Sequence, residues 1–374
     1  VEIIEEPLNF VQSAVADYDT AELKLGPKVE DDIGDSTGAS RLRKLSSSHA
    51  STSCFRKIYS IDVADGACVV AGEKGMASVY GMKMRDSDNP VSDDLSLDCL
   101  LDVKLHRSWI SNIQFLSSQA VAGKRLMLSA ANDGSLQLWN INKTAFDQKQ
   151  GMDVPENIDS VYIHSKGIFS MHEKASKIIT GSKDCSIGLA VFKESKMECV
   201  RIIADAHSSV VKSVRWRNTN EFGSAGNDRD IHLSDLRASG GARVWTASDA
   251  HASAINALEF SPSEHLLLSS SFDTAIVVHD LRKGEAPLFE LEGHLTRRTK
   301  SIYHPVFVDS GRRIVTSGES NLLTLFDVAE GMVVSRGSVD FNPTALHHVD
   351  SGGATNGLLM AAGQGELCLL QPLH

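Results

Sequence analysis

Residues 205–216 read DAHSSVVKSVRW and residues 249–260 read DAHASAINALEF. Each is followed by a second matching stretch, FGSAGNDRDIHLSDLR over 222–237 and LLSSSFDTAIVVHDLR over 267–282. The two passages agree almost residue for residue in chemical type, at a period a little over forty residues. A repeat of that length is one supersecondary unit that cannot bury its apolar face alone, so neighbouring copies must stack into an array or a propeller.

Taking the histidine as origin, an aliphatic residue stands four places on and an aromatic nine places on: His106, Ile110, Phe115; His207, Val211, Trp216; His251, Ile255, Phe260. The unit at His294 keeps Tyr303 nine places on but has Arg298 at the aliphatic place, and the unit at His164 keeps Ile168 and is shorter. Past each anchor a small-residue run leads to Asp133, Asp184, Asp228, Asp273 or Asn321, and then to alternating apolar residues such as Leu136 and Leu138, or Ile231 and Leu233. Alternation at period two marks a half-buried strand, and Asp or Asn among small residues turns one strand into the next. Each anchor histidine is therefore expected to be buried and bonded to the turn carboxylate of its own unit, a structural staple rather than a catalytic or metal-binding group. Residues 58–80 and 358–370 repeat the strand–turn–strand part without the histidine. Terminal repeats are characteristically atypical, so the count is seven.

This pattern resembles the WD-repeat family of β-propellers over roughly Phe55 to Leu370. The resemblance implies an all-β fold: a seven-bladed propeller of four-stranded antiparallel blades. The family's tryptophan stands at Trp139, whereas the equivalent positions hold Ala190, Ser234, His279 and Phe326. Those blades are expected to lack the tryptophan arm of the family's hydrogen-bonded tetrad. A ring also needs closing. The last unit ends after its third strand at Leu370, so its outer strand is expected from the N-terminal side, within Ser40 to Phe55, which removes the open edge. Residues 1–53 then form an N-terminal extension, partly acidic and ending in a Ser-rich linker, and residues 54–374 form the propeller. Within the extension, Leu8, Val11 and Val15 are spaced for a short amphipathic helix.

The net charge of −11 disfavours general affinity for nucleic acid. The six cysteines are scattered without a CxxC pair and read as reduced thiols of an intracellular protein. A nuclear rather than a cytoplasmic setting is expected from the resemblances given below. No apolar run is long enough for a membrane span and no signal peptide is seen. Because the chain begins with Val1 rather than Met, it is expected to be part of a longer protein. Met84 to Lys104, rich in aspartate, and Asn142 to Ser160 read as insertions on the rim, either loops or lengthened outer strands. No phosphate loop, nucleophile elbow or HExxH motif is present. The pair His347–His348 beside Asp350 lacks further ligands and is expected at an edge or in a loop. The chain is read as a non-enzyme without a cofactor or metal.

Two groups of residues stand out for binding. The sixteen-residue stretches ending Asp235-Leu236-Arg237 and Asp280-Leu281-Arg282 resemble the DWD box of WD-repeat proteins that serve as substrate receptors of cullin-4 ubiquitin ligases. The family's box ends Trp-Asp-x-Arg, and its arginine contacts the ligase adaptor; here Ser234 and His279 replace the tryptophan. That resemblance implies adaptor binding by Asp235, Arg237, Asp280 and Arg282. The alternative is that each arginine pairs with a neighbouring carboxylate and finishes a strand. The same endings, with Asn256-Ala-Leu-Glu-Phe-Ser-Pro262, also resemble histone-binding WD-repeat proteins, which implies a peptide-reading subunit of a chromatin or other multiprotein complex. On the opposite face, the loops after the anchor histidines offer Arg107, Trp109, Lys166, Arg297, Arg298 and Lys300 to a peptide or other partner. Trp109 stands where sister units carry Val210 or Ala254 and is expected to be exposed. Arg297, Arg298 and Lys300 make a local basic patch suited to an acidic peptide or phosphate, and the one place where nucleic acid would bind.

Overall fold

The computed structural model describes residues 42–52, 54–64, 66–84, 95–117, 124–142, 153–193, 196–238, 242–291, 304–318, 321–349 and 358–372. They form seven four-stranded antiparallel sheets. The chain enters on β1 (Leu42–Ser51). Blade 1 is β2 (Ile58–Ala64), β3 (Ala67–Gly72), β4 (Met76–Met84) and β5 (Leu95–Lys104). Blade 2 is β6 (Ile110–Phe115), β7 (Lys124–Ala131), β8 (Ser135–Asn142) and β9 (Glu156–Tyr162). Blade 3 is β10 (Ile168–Lys174), β11 (Lys177–Ser182), β12 (Ile187–Lys193) and β13 (Lys196–Ile203). Blade 4 is β14 (Val211–Trp216), β15 (Glu221–Gly226), β16 (Ile231–Asp235) and β17 (Arg243–Ala247). Blade 5 is β18 (Ile255–Phe260), β19 (Leu266–Ser271), β20 (Ile276–Asp280) and β21 (Pro287–Glu290). Blade 6 is β22 (Val306–Val308), β23 (Arg313–Ser317), β24 (Leu322–Asp327) and β25 (Val333–Ser338). Blade 7 is β26 (Ala345–Val349), β27 (Leu358–Gly363) and β28 (Glu366–Pro372), completed on its outer edge by β1.

The closing strand is the expected one. Leu42 lies opposite Pro372 and Ser51 opposite Glu366 in an antiparallel pair. The inner strands β2, β6, β10, β14, β18, β22 and β26 each pack on the next, and β26 returns to β2, which closes the ring. The helix expected near Val11, and the insertion residues 85–94 and 143–152, lie outside the described residues. Of the remainder, residues 95–104 are the outer strand β5 and residues 156–160 belong to the outer strand β9.

The core follows from this geometry. Its buried apolar side chains fall into seven clusters, one at each interface between neighbouring blades. The second strands are covered on both faces, so they read as continuous small or apolar runs such as ACVVAG in β3, every residue of it buried. The spacing leaves no room for bulk: a Cβ on Gly181 would lie 2.7 Å from Val211 Cγ1 of the next blade. Outer strands are half exposed, and in blades 1 to 6 each carries a bulge opposite the step between the third strand's tryptophan site and the residue before it. The residue skipped by the pairing is always aliphatic: Leu100, Ile158, Val200, Val244, Leu288 and Val334.

The histidine staples take two forms. His207 Nδ1 meets Asp228 at 2.8 Å and His251 Nδ1 meets Asp273 at 3.1 Å, the expected imidazole–carboxylate pair. In blades 2 and 3 a hydroxyl bridges ring and carboxylate, and in blade 3 His164 Nδ1 also meets Asp184 directly at 3.3 Å, as expected. Ser135 Oγ sits 3.1 Å from His106 Nδ1 and donates to Asp133 at 2.6 Å, and Ser186 joins His164 to Asp184 in the same way. The serine follows the aspartate by two residues, so it comes between ring and carboxylate, and the expectation of a direct bond is corrected for His106. His294 lies outside the described residues. The other ring nitrogen meets a second-strand hydroxyl in each case: Ser129, Thr180, Ser224 or Ser269. In blade 2 the chain extends to an indole, where Trp139 Nε1–H donates to Ser129 Oγ at 2.8 Å.

His347 and His348 lie on the inner strand β26, an edge strand of its sheet as expected, paired with Met360 and Leu359. One further expectation changes. In blade 6, Phe307 pairs with Ile314 and so lines up with Phe326, the register that Phe260, Leu267 and His279 have in blade 5. The aromatic place of blade 6 is thus filled by Phe307; Tyr303 lies outside the described residues.

Candidate functional site

Strands alternate direction, so first-to-second and third-to-fourth turns gather on one face of the ring, and the other turns, with the anchor histidines, on the opposite face. The two Asp-Leu-Arg endings lie on the first. Leu236 N–H donates to the Asn220 carbonyl and Leu281 N–H to the His265 carbonyl, which fixes both endings beside the first-to-second turns of their own blades.

Each ending is an Asx turn. Asp235 Oδ1 accepts the Arg237 N–H at 2.9 Å, and Asp280 Oδ1 accepts the Arg282 N–H at 3.1 Å. The same carboxylates then take the guanidinium side-on. Arg237 Nε and Nη2 reach Asp235 at 3.0 and 2.7 Å, and Arg282 Nε and Nη2 reach Asp280 at 2.9 and 2.8 Å. These hydrogen bonds hold both carboxyls below the ordinary carboxylate range. Arg237 also reaches Glu221 at 3.3 Å, and Glu221 in turn binds Arg217. The carboxylate and the guanidinium differ sharply in exposure. The Asp280 side chain is 3% exposed and the Arg282 side chain 59%, so a sunken anion holds an outward cation.

Blade 6 separates the turn from the arginine. There Asp327 Oδ1 accepts the N–H of Ala329 at 2.8 Å and of Glu330 at 3.1 Å, the same turn with alanine at the arginine place. The aspartate is what the fold uses; the arginine is additional. Trp245 ties the two blades on this side, its Nε1–H donating to the Gly284 carbonyl at 3.0 Å.

On the histidine face, Arg107 and Lys166 are exposed. Trp109 is not the isolated exposed ring expected. It is half-buried, edge-on to Tyr59 at 5.4 Å and to Phe169 at 5.6 Å, because its neighbours on the flanking inner strands both project aromatics there. Tyr59 and Phe169 went unnoticed in the sequence. Both directly follow the first residue of an inner strand, Ile58 and Ile168, and that shared register is the signal that would have found them. Lys212 holds the same register on β14, 4.3 Å from the Phe272 ring, and burial pushes it down to about 8. Arg297, Arg298 and Lys300 lie outside the described residues. Among the described residues, no group of three or more His, Cys, Asp or Glu is arranged to hold a metal ion. None of their helices is long and apolar enough to cross a membrane.

Residues 242–280 match the family described as "WD domain, G-beta repeat". This stretch is similar to a WD40 repeat and lies in a seven-bladed propeller. It runs from the outer strand of blade 4 through three strands of blade 5, so repeat and blade are offset by one strand. That offset is why a strand from the N-terminal side must finish blade 7. Over 124 residues the chain is 32% identical to the WD-40 repeat-containing protein MSI3 of Arabidopsis thaliana, an alignment covering 32% of this chain and 28% of that protein's length. Among solved structures it is similar to the WD40 β-propeller domain of Doa1, with a TM-score of 0.65 and 15% identity, over 88% of this chain and 96% of that one. The likeness to Doa1 establishes the propeller fold.

Proposed function

We propose that this WD40 propeller is a non-enzymatic interaction scaffold that docks the adaptor of a cullin-4 RING ubiquitin ligase through Arg237 and Arg282, and so serves as a substrate receptor. The observation that carries the reading is the contrast with blade 6, where the Asx turn forms with alanine in the arginine's place. Two adjacent blades therefore present exposed, oriented guanidinium groups that their fold does not require. Arginine is enriched among the anchor residues of protein interfaces. The test is co-purification of the adaptor from cells with the wild-type chain and with the Arg237→Ala/Arg282→Ala double variant. A loss of adaptor with an unchanged thermal melt supports docking; equal recovery by both chains removes it.

A second reading rests on the histidine face. Here the half-buried cluster of Tyr59, Trp109 and Phe169, with Arg107 and Lys166 nearby in sequence, would receive a histone tail or other peptide as part of a chromatin or other multiprotein complex. Aromatic rings that are neither fully buried nor single are what a recognition site needs. Titrating a histone-tail peptide while following Trp109 fluorescence distinguishes the two, since Trp109→Ala removes peptide binding and leaves adaptor recovery intact. Both readings carry a nuclear setting, which imaging of a tagged chain checks.

A further inference from the structure

The tryptophan site of the third strand is filled differently in each blade. Trp139 fills it in blade 2, Tyr80 in blade 1, Phe326 in blade 6 and Leu370 in blade 7, all of them buried. Blade 5 has His279, with Trp245 packed edge-on at 5.5 Å, and in blade 3 Ala190 is buried in a cluster with Phe192 and Met197. Blade 4 has Ser234, and beside it lies a cavity of about 240 Å³ lined by Ile187, Ile203 and Ala206 from the side of blade 3 and by Ser224, His232 and Arg243 of blade 4.

The polar groups at this cavity have a direction. Ser224 occupies the register place of Ser129, each opposite the third-strand residue two before the tryptophan site. In blade 2 Ser129 accepts the indole N–H of Trp139; the Ser224 hydroxyl bonds His207 Nε2 at 2.8 Å and keeps lone pairs for a second donor. His232 is 3% exposed, and its Nδ1 finds no hydrogen-bond partner among the described residues. His232 Nε2 lies 4.0 Å from the Asp230 carboxylate, so a proton held on Nε2 leaves a lone pair on Nδ1. A buried acceptor left in this way costs free energy that a ligand donor recovers. Burial and the neighbouring His207 hold the ring well below the usual imidazole range, at about 4, so it is a neutral acceptor at physiological pH.

The surroundings point to a polypeptide. The bulge residues Leu100, Ile158 and Val334 pack against the cores of blades 1, 2 and 6, but Val200 on β13 and Val244 on β17 are 61% and 52% exposed. These two strands border the cavity through Ile203 and Arg243. The volume is below that of a whole-ligand pocket and suits one side chain.

We infer that the tryptophan site of blade 4, between blades 3 and 4, receives a tryptophan side chain from a partner protein, whose indole N–H bonds Ser224 or His232 and whose flanking apolar residues cover Val200 and Val244. The proposal does not rest on Arg237 or Arg282, and it stands whether or not they bind an adaptor.

Isothermal titration with N-acetyl-tryptophanamide and with the peptide acetyl-Val-Trp-Val-amide tests it. Saturable binding of both is expected, with the peptide roughly tenfold tighter. Indole should bind roughly tenfold tighter than indene, its analogue without the N–H, and His232→Leu should narrow that ratio. Ser234→Trp fills the site from within and should abolish binding; Ser234→Leu, which half-fills it, should weaken binding in the same direction should the larger residue prevent folding. Absence of saturable binding, binding undiminished in either Ser234 variant that folds, or a peptide no tighter than the amide overturns the proposal.

Discussion

His172 Nδ1 accepts the backbone N–H of Trp216 at 2.9 Å, so a side chain of blade 3 pairs with the inner strand of blade 4. It belongs to a series. Ser60 and Asp62 accept from Ile113 and Phe115, Asn112 and Gln114 from Met171 and Glu173, Ser170 from Val214, and Ser213 from Leu258. An inner strand has one edge paired in its own sheet; these side chains satisfy the other, which would otherwise carry unpaired donors. His172→Ala is expected to leave the Trp216 N–H unpaired and to cost about 1–3 kcal/mol in urea unfolding. His172→Gln should recover part of that, because Gln114 performs the same task one blade earlier. Hydrogen exchange at the Trp216 amide, faster in His172→Ala, assigns the loss to this bond.

Acid should weaken the ring from about pH 6.5 downward. Burial holds His106, His232, His279 and His304 at about 4, and places His164 and His172 below their ordinary range. Between its folded and unfolded values each of these histidines is protonated in the unfolded chain and neutral in the native one. The unfolded state then binds more protons, and stability falls as pH falls. Each depressed unit corresponds to at most about 1.4 kcal/mol. Two partly exposed carboxyls, Asp62 and Glu259, oppose the trend because desolvation raises them. Thermal melts between pH 7.5 and 4.5 should show a falling midpoint; a flat profile contradicts the prediction.

Asp62 offers the opposite sign in isolation. Burial pushes its carboxyl up to about 7 even though it accepts the Phe115 N–H at 2.7 Å, with His347 3.6 Å away. Its folded value lies above the unfolded one, so the native state holds the proton more tightly. The stability it confers is full at low pH and lost as pH rises through about 7. Asp62→Asn keeps an acceptor for Phe115 and removes the charge. It should stabilise the protein by on the order of 1–3 kcal/mol at pH 8 and have little effect at pH 5, measured by chemical unfolding at the two values.

How much of this was legible in the sequence depends on distance along the chain. The His207–Asp228 and His251–Asp273 pairs, the blade count and the closing strand are written within one repeat or at the two ends, where period and spacing can be read. The bonds between inner strands join residues of different blades, such as Ser60 and Ile113, and neither residue type announces its partner. The cluster of Tyr59, Trp109 and Phe169 draws one ring from each of three blades, so Trp109 read alone looked exposed. The outer-strand bulges were hidden for another reason: those strands mix exposed polar and aliphatic residues, and a skipped residue leaves no local mark.

Asp280 and Arg282 should separate in a stability measurement, although they form one ion pair. The Asp280 carboxylate is almost wholly buried and makes the Asx turn that ends β20, accepting the Arg282 N–H besides its guanidinium. Asp280→Ala removes the turn's acceptor and leaves the N–H to find water, at a cost of about 1–3 kcal/mol. Arg282→Ala removes an exposed guanidinium from an aspartate whose turn bond survives, and blade 6 makes that turn around Ala329. Exposed pairs contribute little, so a far smaller change is expected than in Asp280→Ala. Urea unfolding of the two variants in parallel reads the difference. A loss in Arg282→Ala equal to that in Asp280→Ala would mean that the arginine helps to hold the turn and is not a group spared for binding.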